Sequence, residues 1–270
     1  MSGTSQESAR FGAQATHSSH AFLLSFLRKF RRGLRRHGVI GLLGVAAGQL
    51  LSRLHNLLPS VRAEIREGER RAAEFDVRFG VDTGGFIHPT ELALDLPNQM
   101  HAVSYRGSDP KHFSDAIACL AIDYGQFVFI DFGSGKGRAL LLAEQFPFKR
   151  IIGVEFSEEL HRIAEENIRR FPKGAHDRQI VESICMDATE FELPKDPLVC
   201  YFCNPFDSTI MRQMRLNMEQ SLSHDPRDLF VVYYNPKEAH VFDGVESFRS
   251  LQRIGPIRVW QGRVTEPVGK

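Results

Sequence analysis

The sequence predicts an α/β fold: a seven-stranded, mostly parallel sheet with helices on both faces, a C-terminal antiparallel hairpin, and a helical basic N-terminal arm before it. Three observations predict it. Five short runs are apolar throughout, as strands buried on both faces are. Helical segments alternate with them, the pattern of parallel strands joined by crossovers. The last two strand-like runs are joined by only Gly255-Pro256, which permits a hairpin and no helical crossover.

Taken in order, residues 1–20 are polar, Ser-rich and without period, and are expected to be a disordered tail. Residues 21–80 form an arm with a basic cluster from Arg28 to Arg36 and an apolar, Gly-rich run from Val39 to Leu51 that is too short to span a bilayer. Within residues 1–60, eight Arg or Lys face the single acid Glu7, although the net charge of the whole chain is only +1. Such an arm suits an anionic membrane surface, a helix packed on the main domain or another subunit, or nucleic acid. Its continuation, SVRAEIREGERRAAEFDVRFG, mixes both charges and reads as a solvated helix or linker.

Residues 81–107 read as loops, punctuated by Gly84, Gly85, Pro89, Pro97 and Gly107. Residues 108–270 make the main domain. Ser108 is the expected N-cap of a helix running from Pro110 to about Leu120. Strands are predicted at Phe127–Phe132, Arg150–Phe156, Ile180–Met186, Leu198–Cys203 and Leu229–Tyr234, with helices at Arg138–Phe146, Glu158–Phe171 and Thr209–Ser223. SFRSLQRI and IRVWQG complete the hairpin. An apolar content of 42% and a charged content of 25% suit a soluble domain with a sizeable core. The four cysteines, Cys119, Cys185, Cys200 and Cys203, lie in apolar runs and read as small buried hydrophobes of a reducing, cytoplasmic compartment. CYFC has its ends on opposite strand faces, which spoils a metal or redox pair, so no metal is expected.

The chemistry gathers at FVFIDFGSGKGRALLLAEQF. A triphosphate-binding loop would need a hydroxyl after Gly135-Lys136 and a glycine at 130, where the chain has Gly137 and Ile130. A dinucleotide fingerprint would need its third glycine where Arg138 stands. What is present is Asp131 at a strand end, then Gly133-Ser134-Gly135-Lys136-Gly137. The acid can accept from an ammonium, the glycines admit a ligand close to the backbone, and the following helix start favours negative charge. A methionine-like tail on a nucleoside satisfies all three, and S-adenosyl-L-methionine is the expected cofactor. Lys136 and Arg138 are the residues of the stretch least expected to be essential.

The next strand ends carry matching groups. Glu155 is placed to accept from ribose hydroxyls, as an acid about 20 residues on does in dinucleotide sites. Asp187 is placed to receive an adenine amino group, with the Ala188 backbone beside it. Asn204-Pro205-Phe206 ends the fourth strand, facing the methyl group. Tyr234 and Asn235 end the fifth and read as lining the acceptor side. His161 reads as a surface residue.

From about Ser108 to Gly262 the chain resembles the class I, seven-stranded S-adenosylmethionine-dependent methyltransferases. FIDFGSGKGRALLLA, GVEFSEELHRIAEEN and YFCNPFDSTIMRQM are similar to segments of the non-SET histone-lysine methyltransferases and of bacterial relatives. The resemblance implies a loop over the cofactor, with Tyr105 as its lid residue, and an amine acceptor such as a protein lysine. Asn204 and Pro205 would then orient the amine by accepting from it, and Phe206 would pack on adenine or on the target. An RNA methyltransferase using the basic arm, a small-molecule O-methyltransferase and a non-catalytic cofactor-binding scaffold are the other functions consistent with the residues.

Overall fold

The computed structural model describes residues 58–88, 91–92, 103–172 and 180–263. The expectations for the tail, for the Arg28–Arg36 cluster and for much of the 81–107 loop fall outside these residues. The chain divides into a unit of residues 1–65 and a compact unit of residues 66–270 that holds the whole sheet.

In chain order the elements are α1 (Pro59–Phe79), β1 (Phe86–Ile87), β2 (Tyr105–Arg106), α2 (Pro110–Ala118), β3 (Val128–Phe132), α3 (Arg138–Ala143), β4 (Arg150–Glu155), α4 (Glu158–Arg170), β5 (Ile180–Cys185), β6 (Leu198–Phe202), α5 (Ser208–His224), β7 (Leu229–Tyr234), β8 (Phe248–Ile254) and β9 (Ile257–Gly262). β1 and β2 pair antiparallel as a small separate ribbon. The main sheet has the order β5-β4-β3-β6-β7-β9-β8. Its first five strands are parallel, and β9 enters antiparallel between β7 and β8. This is the α/β architecture that the sequence predicts, a mostly parallel seven-stranded sheet closed by an antiparallel C-terminal hairpin.

The order dictates where a ligand can sit. From β3 the chain winds outward through β4 and β5, then returns to lay β6 and β7 on the other side of β3. The crossovers therefore leave in opposite directions from β3 and β6, and a crevice opens at the carboxyl ends of these neighbours. Gly133 follows β3 and Asn204 follows β6, so both stand at this switch point.

Alternation along β3 feeds two cores. Val128, Ile130 and Phe132 face α5, whose Met211, Met214, Met218 and Leu222 lie on one helical stripe. Phe129 faces the opposite side with Phe113 and Ile117 of α2 and Leu140 and Leu141 of α3. Asp131 shares the parity of Phe129, so its carboxyl is turned toward α2 and α3 at the top of that apolar layer.

Four local expectations are corrected. The N-cap of α2 is Asp109, which accepts from the Lys111 and His112 N–H groups and from Arg71 at 2.7 Å. Pro110 occupies the first helical position, which makes the residue before it the cap; Ser108 is buried instead and accepts the Tyr201 hydroxyl at 2.8 Å. α3 ends at Ala143, short of Phe146, because Pro147 biases the residue before it away from helix. Cys119 and Cys185 are exposed, while Cys200 is buried and Cys203 half-buried. His161 is half-buried between Ser183, at 2.8 Å, and Glu165. The charged helix α1 is also more than a linker: within the compact unit its Phe75 is buried and stacks on Phe171.

Candidate functional site

The site begins where β3 leaves the sheet. Gly133, Gly135 and Gly137 have φ of 73°, 54° and 83°, a left-handed run that side chains with a Cβ rarely adopt. The Gly133 and Ser134 N–H groups donate to the Val154 carbonyl at 2.8 and 3.2 Å, which folds the loop over β4. Two of the glycines are also sterically required. A Cβ on Gly133 would overlap Pro205, and one on Gly135 would overlap the Tyr105 ring.

Glu155, at the end of β4, braces the loop from the other side. Its Oε2 accepts the Gly135 N–H at 2.8 Å and its Oε1 the Ser157 N–H at 2.9 Å. Asp131 is 3% exposed, and its Oδ1 has no hydrogen-bond partner. Two buried carboxyls thus share one end of the sheet, one with an N–H donor on each oxygen and one with a bare Oδ1. Burial and the neighbouring Glu155 charge hold the Asp131 carboxyl well above the usual carboxylate range. Burial also raises Glu155, opposed by the N–H groups of Ser157, Gly135 and Phe156.

Across the crevice, just beyond the end of β6, stands Asn204, a non-glycine residue at φ 51°. Strain of this kind persists only where surrounding structure fixes it. Here the Tyr233 hydroxyl, from the neighbouring β7, donates to Asn204 Oδ1 at 3.2 Å. Pro205 packs on Gly133, and Phe206 is buried in the same apolar cluster as Ala188.

The roof comes from β2. The Tyr105 ring lies against Gly135, and its hydroxyl donates to the Thr83 carbonyl at 2.7 Å. Asp131, Gly133, Ser134, Glu155, Asn204, Pro205, Phe206 and Tyr105 all line one cavity, with Phe156, Leu160 and Cys203 among the rest of its wall. Burial pushes the Cys203 thiol up to about 12, so it is no nucleophile at neutral pH. The cavity measures about 50 Å³ with Tyr105 in this position.

The structure places other expected residues elsewhere. Asp187 is exposed at the end of β5 and caps the short 3₁₀ turn Ala188–Glu190, its Oδ1 accepting both the N–H and the hydroxyl of Thr189 at 2.7 Å. Neither it nor Ala188 lines the cavity. Tyr234 leans on the His112 ring, and Tyr234 and Asn235 also stand outside the cavity wall. Among the described residues, no three His, Cys, Asp or Glu side chains are grouped to hold a metal ion.

Lys136 and Arg138, the residues expected to matter least, are both buried. The Arg138 Nε donates to Thr83 Oγ1 at 2.6 Å, its Nη1 to the Ser108 carbonyl at 3.4 Å, and its Nη2 stands 3.6 Å from Asp76. Asp76 in turn accepts from the Thr83 N–H and hydroxyl. Lys136 pairs with Asp82 at 3.0 Å, and Asn167 of α4 donates to the carbonyls of Asp82 and Lys136 while accepting the Asp82 N–H. Sequence reasoning passed over Thr83, Asp76, Asp82 and Asn167 because the bonds that tie them to Lys136, Arg138 and one another span up to 85 positions. For Tyr233 a signal was available: its position in VVYYNP, beside the end of the strand that carries Asn204.

No family model matches the chain, and no curated protein matches it. Solved structures with a similar arrangement include an RNA methyltransferase from Salinibacter ruber in complex with S-adenosyl-L-homocysteine, at 16% identity over 62% of this chain and 97% of that one, with a TM-score of 0.42. A predicted N6-adenine-specific DNA methylase from Listeria monocytogenes is similar at 14% identity, over 59% and 52% of the two chains, with a TM-score of 0.44. The magnesium protoporphyrin IX methyltransferase of Synechocystis with bound SAM is similar at 16% identity, over 58% and 79%, with a TM-score of 0.40.

Proposed function

We propose that the protein is an S-adenosylmethionine-dependent methyltransferase whose acceptor is an amine, such as a protein lysine. One observation carries this reading: at the switch point of the sheet, a left-handed glycine loop runs between two buried acids, opposite an Asn-Pro pair, and all four line one cavity.

The residues fit that cofactor. Asp131 Oδ1, buried without a partner, is an acceptor in want of a donor, which an amino-acid ammonium supplies. Glu155 uses one lone pair of each oxygen on the backbone and keeps the others for ribose hydroxyls. Gly133 and Gly135 present bare backbone. Pockets for ligands of this size run to about 300 Å³ or more, so the Tyr105 ring must swing off Gly135 to admit one and can then close over it. The adenine would extend past Phe156 and Leu160 toward β5, where Asp187 and Ala188 stand.

The cofactor supplies a methyl group on a good leaving group, transferred by in-line displacement, so the chain's part is alignment and exclusion of water. Asn204 Oδ1 keeps a second lone pair beside the Tyr233 bond. Together with the Pro205 carbonyl it can accept from the acceptor nitrogen and aim the remaining nitrogen lone pair at the methyl carbon. An amine must arrive deprotonated, since a free lysine titrates near pH of about 10.4. Phe206 backs Gly133 and holds the floor beneath both.

The test is calorimetric titration with S-adenosylhomocysteine, followed by incubation of the protein with methyl-labelled cofactor and a lysate of its own cell. Binding weakened at least tenfold by Asp131→Ala or Glu155→Ala, and label in protein, are the expected results. Absence of binding, or equal binding by both variants, overturns the methyltransferase reading. Label in RNA or in small molecules overturns the amine reading alone.

A further inference from the structure

We propose that the Asp131 carboxyl carries a proton in this conformation and releases it when the ammonium group of a ligand docks, so that cofactor binding expels a proton to solvent. This rests on the function proposed above for the choice of ligand.

The argument is one of two acids and too few donors. Glu155 receives an N–H on each oxygen, from Gly135 and from Ser157, and such donors serve an ionised carboxylate best. Asp131, on β3 and opposite Gly153 of the β4 strand that carries Glu155, receives none on Oδ1 and is almost completely buried. Two carboxylates cannot both stay ionised in so dry a place without a counter-charge, and the pair titrates as a unit. The acid without donors is the one that keeps the proton.

The other groups facing Asp131 do not supply the missing charge. From α3, Arg138 turns its guanidinium to Thr83, Ser108 and Asp76. From β2 the Tyr105 phenol, from β6 the Tyr201 phenol, and just beyond β6 the Cys203 thiol all lie within electrostatic reach, and burial raises all three, so each stays neutral. The direction found for Asp131 itself agrees with the geometry.

A ligand that brings an ammonium into the cavity changes the balance. The cation favours the ionised Asp131, the carboxyl O–H bond breaks, and the proton leaves to the buffer while the ammonium nitrogen donates to the vacated oxygen. Net charge in the pocket then stays close to what it was, which makes entry of a cation into a buried site affordable. Affinity must fall as pH drops, because acid restores the proton that the ligand has to displace.

The experiment titrates the full-length protein near pH 7 in phosphate and in Tris, whose ionisation enthalpies differ widely. Three ligands are compared: S-adenosylmethionine, S-adenosylhomocysteine, which keeps the ammonium and lacks the sulfonium charge, and 5′-methylthioadenosine, which lacks the ammonium. The buffer difference should report release of about one proton with the first two and none with the third. The S-adenosylhomocysteine Kd should rise toward tenfold for each pH unit of acidification. Asp131→Asn should bind S-adenosylhomocysteine more weakly, with no proton release and no such pH dependence. Equal enthalpies in the two buffers for the wild-type protein with S-adenosylhomocysteine overturn the proposal, as does undiminished release by Asp131→Asn. The wild-type comparison needs no variant to fold. If none of the three ligands binds, the methyltransferase reading falls with it; binding without proton release sinks this proposal alone.

Discussion

Burial of Asp131 beside Glu155 gives the native protein a proton that an ordinary aspartate in the unfolded chain loses near pH of about 3.9. The sign follows from linkage. Below that pH both states hold the proton, and Asp131 contributes its full stability; as pH rises toward the raised native value, only the unfolded state ionises and stability is lost. Asp131→Asn should therefore melt nearer the wild type at pH 4 and become progressively the more stable form toward pH 7. The difference should grow by up to about 1.4 kcal/mol per pH unit. Parallel melting curves across that range would show that Asp131 is ionised in the native state. Gly135 offers a steric counterpart. Gly135→Ala must hold alanine at φ 54° and push the Tyr105 ring aside, so it should cost about 2 kcal/mol by urea unfolding. Both residues were legible in the sequence as parts of a ligand loop. Their energetic state was not, because nothing in a string of letters says that Glu155 receives two N–H groups and Asp131 Oδ1 none.

Helix α3 shows what holds the loop between them. It is only six residues long and starts at a left-handed glycine with no side-chain cap, so propensity alone would not keep it. Arg138, in its first turn, moors it to Thr83, Asp76 and Ser108, and through Tyr105 and Thr83 the same anchor reaches the roof of the cavity. Arg138→Leu leaves Asp76 without its cation and should cost about 3 kcal/mol, the range for breaking a buried pair. Lys136→Ala should cost about 1 kcal/mol or less, because its partner Asp82 is 65% exposed in its side chain and water replaces the lost cation. Chemical denaturation of the two variants checks the order; equal losses would mean that Asp76 is satisfied without Arg138. The sequence placed α3 and its glycines within a few residues. It did not show that Arg138 is buried, because the Thr83 segment bonded to it lies 55 residues away in the chain.

The sheet as a whole depends on the closing hairpin. β9 lies between β7 and β8, and its Trp260 is fully buried against Phe242, donates its indole N–H to Asp243 and carries the Arg258 guanidinium 4.6 Å from its ring centre. Trp260 is the single tryptophan of the chain, so its emission reports on this end of the sheet. We expect blue-shifted native emission and a red shift on denaturation that coincides with the loss of helical circular dichroism, as cooperative unfolding requires. A red shift at lower denaturant would mean that the hairpin detaches first. Periodicity and turn residues determined by themselves the alternation of strands and helices, the terminal hairpin, the glycine loop and the acids at successive strand ends, since these are features of local spacing. Only the tertiary structure decided that Asp109 rather than Ser108 caps α2, that Asp187 caps a turn outside the cavity, and that Tyr233 steadies Asn204. It also decided which of two neighbouring acids lacks a donor. Hydrogen-bond satisfaction and desolvation depend on groups that meet across the sheet, and sequence neighbours do not record them.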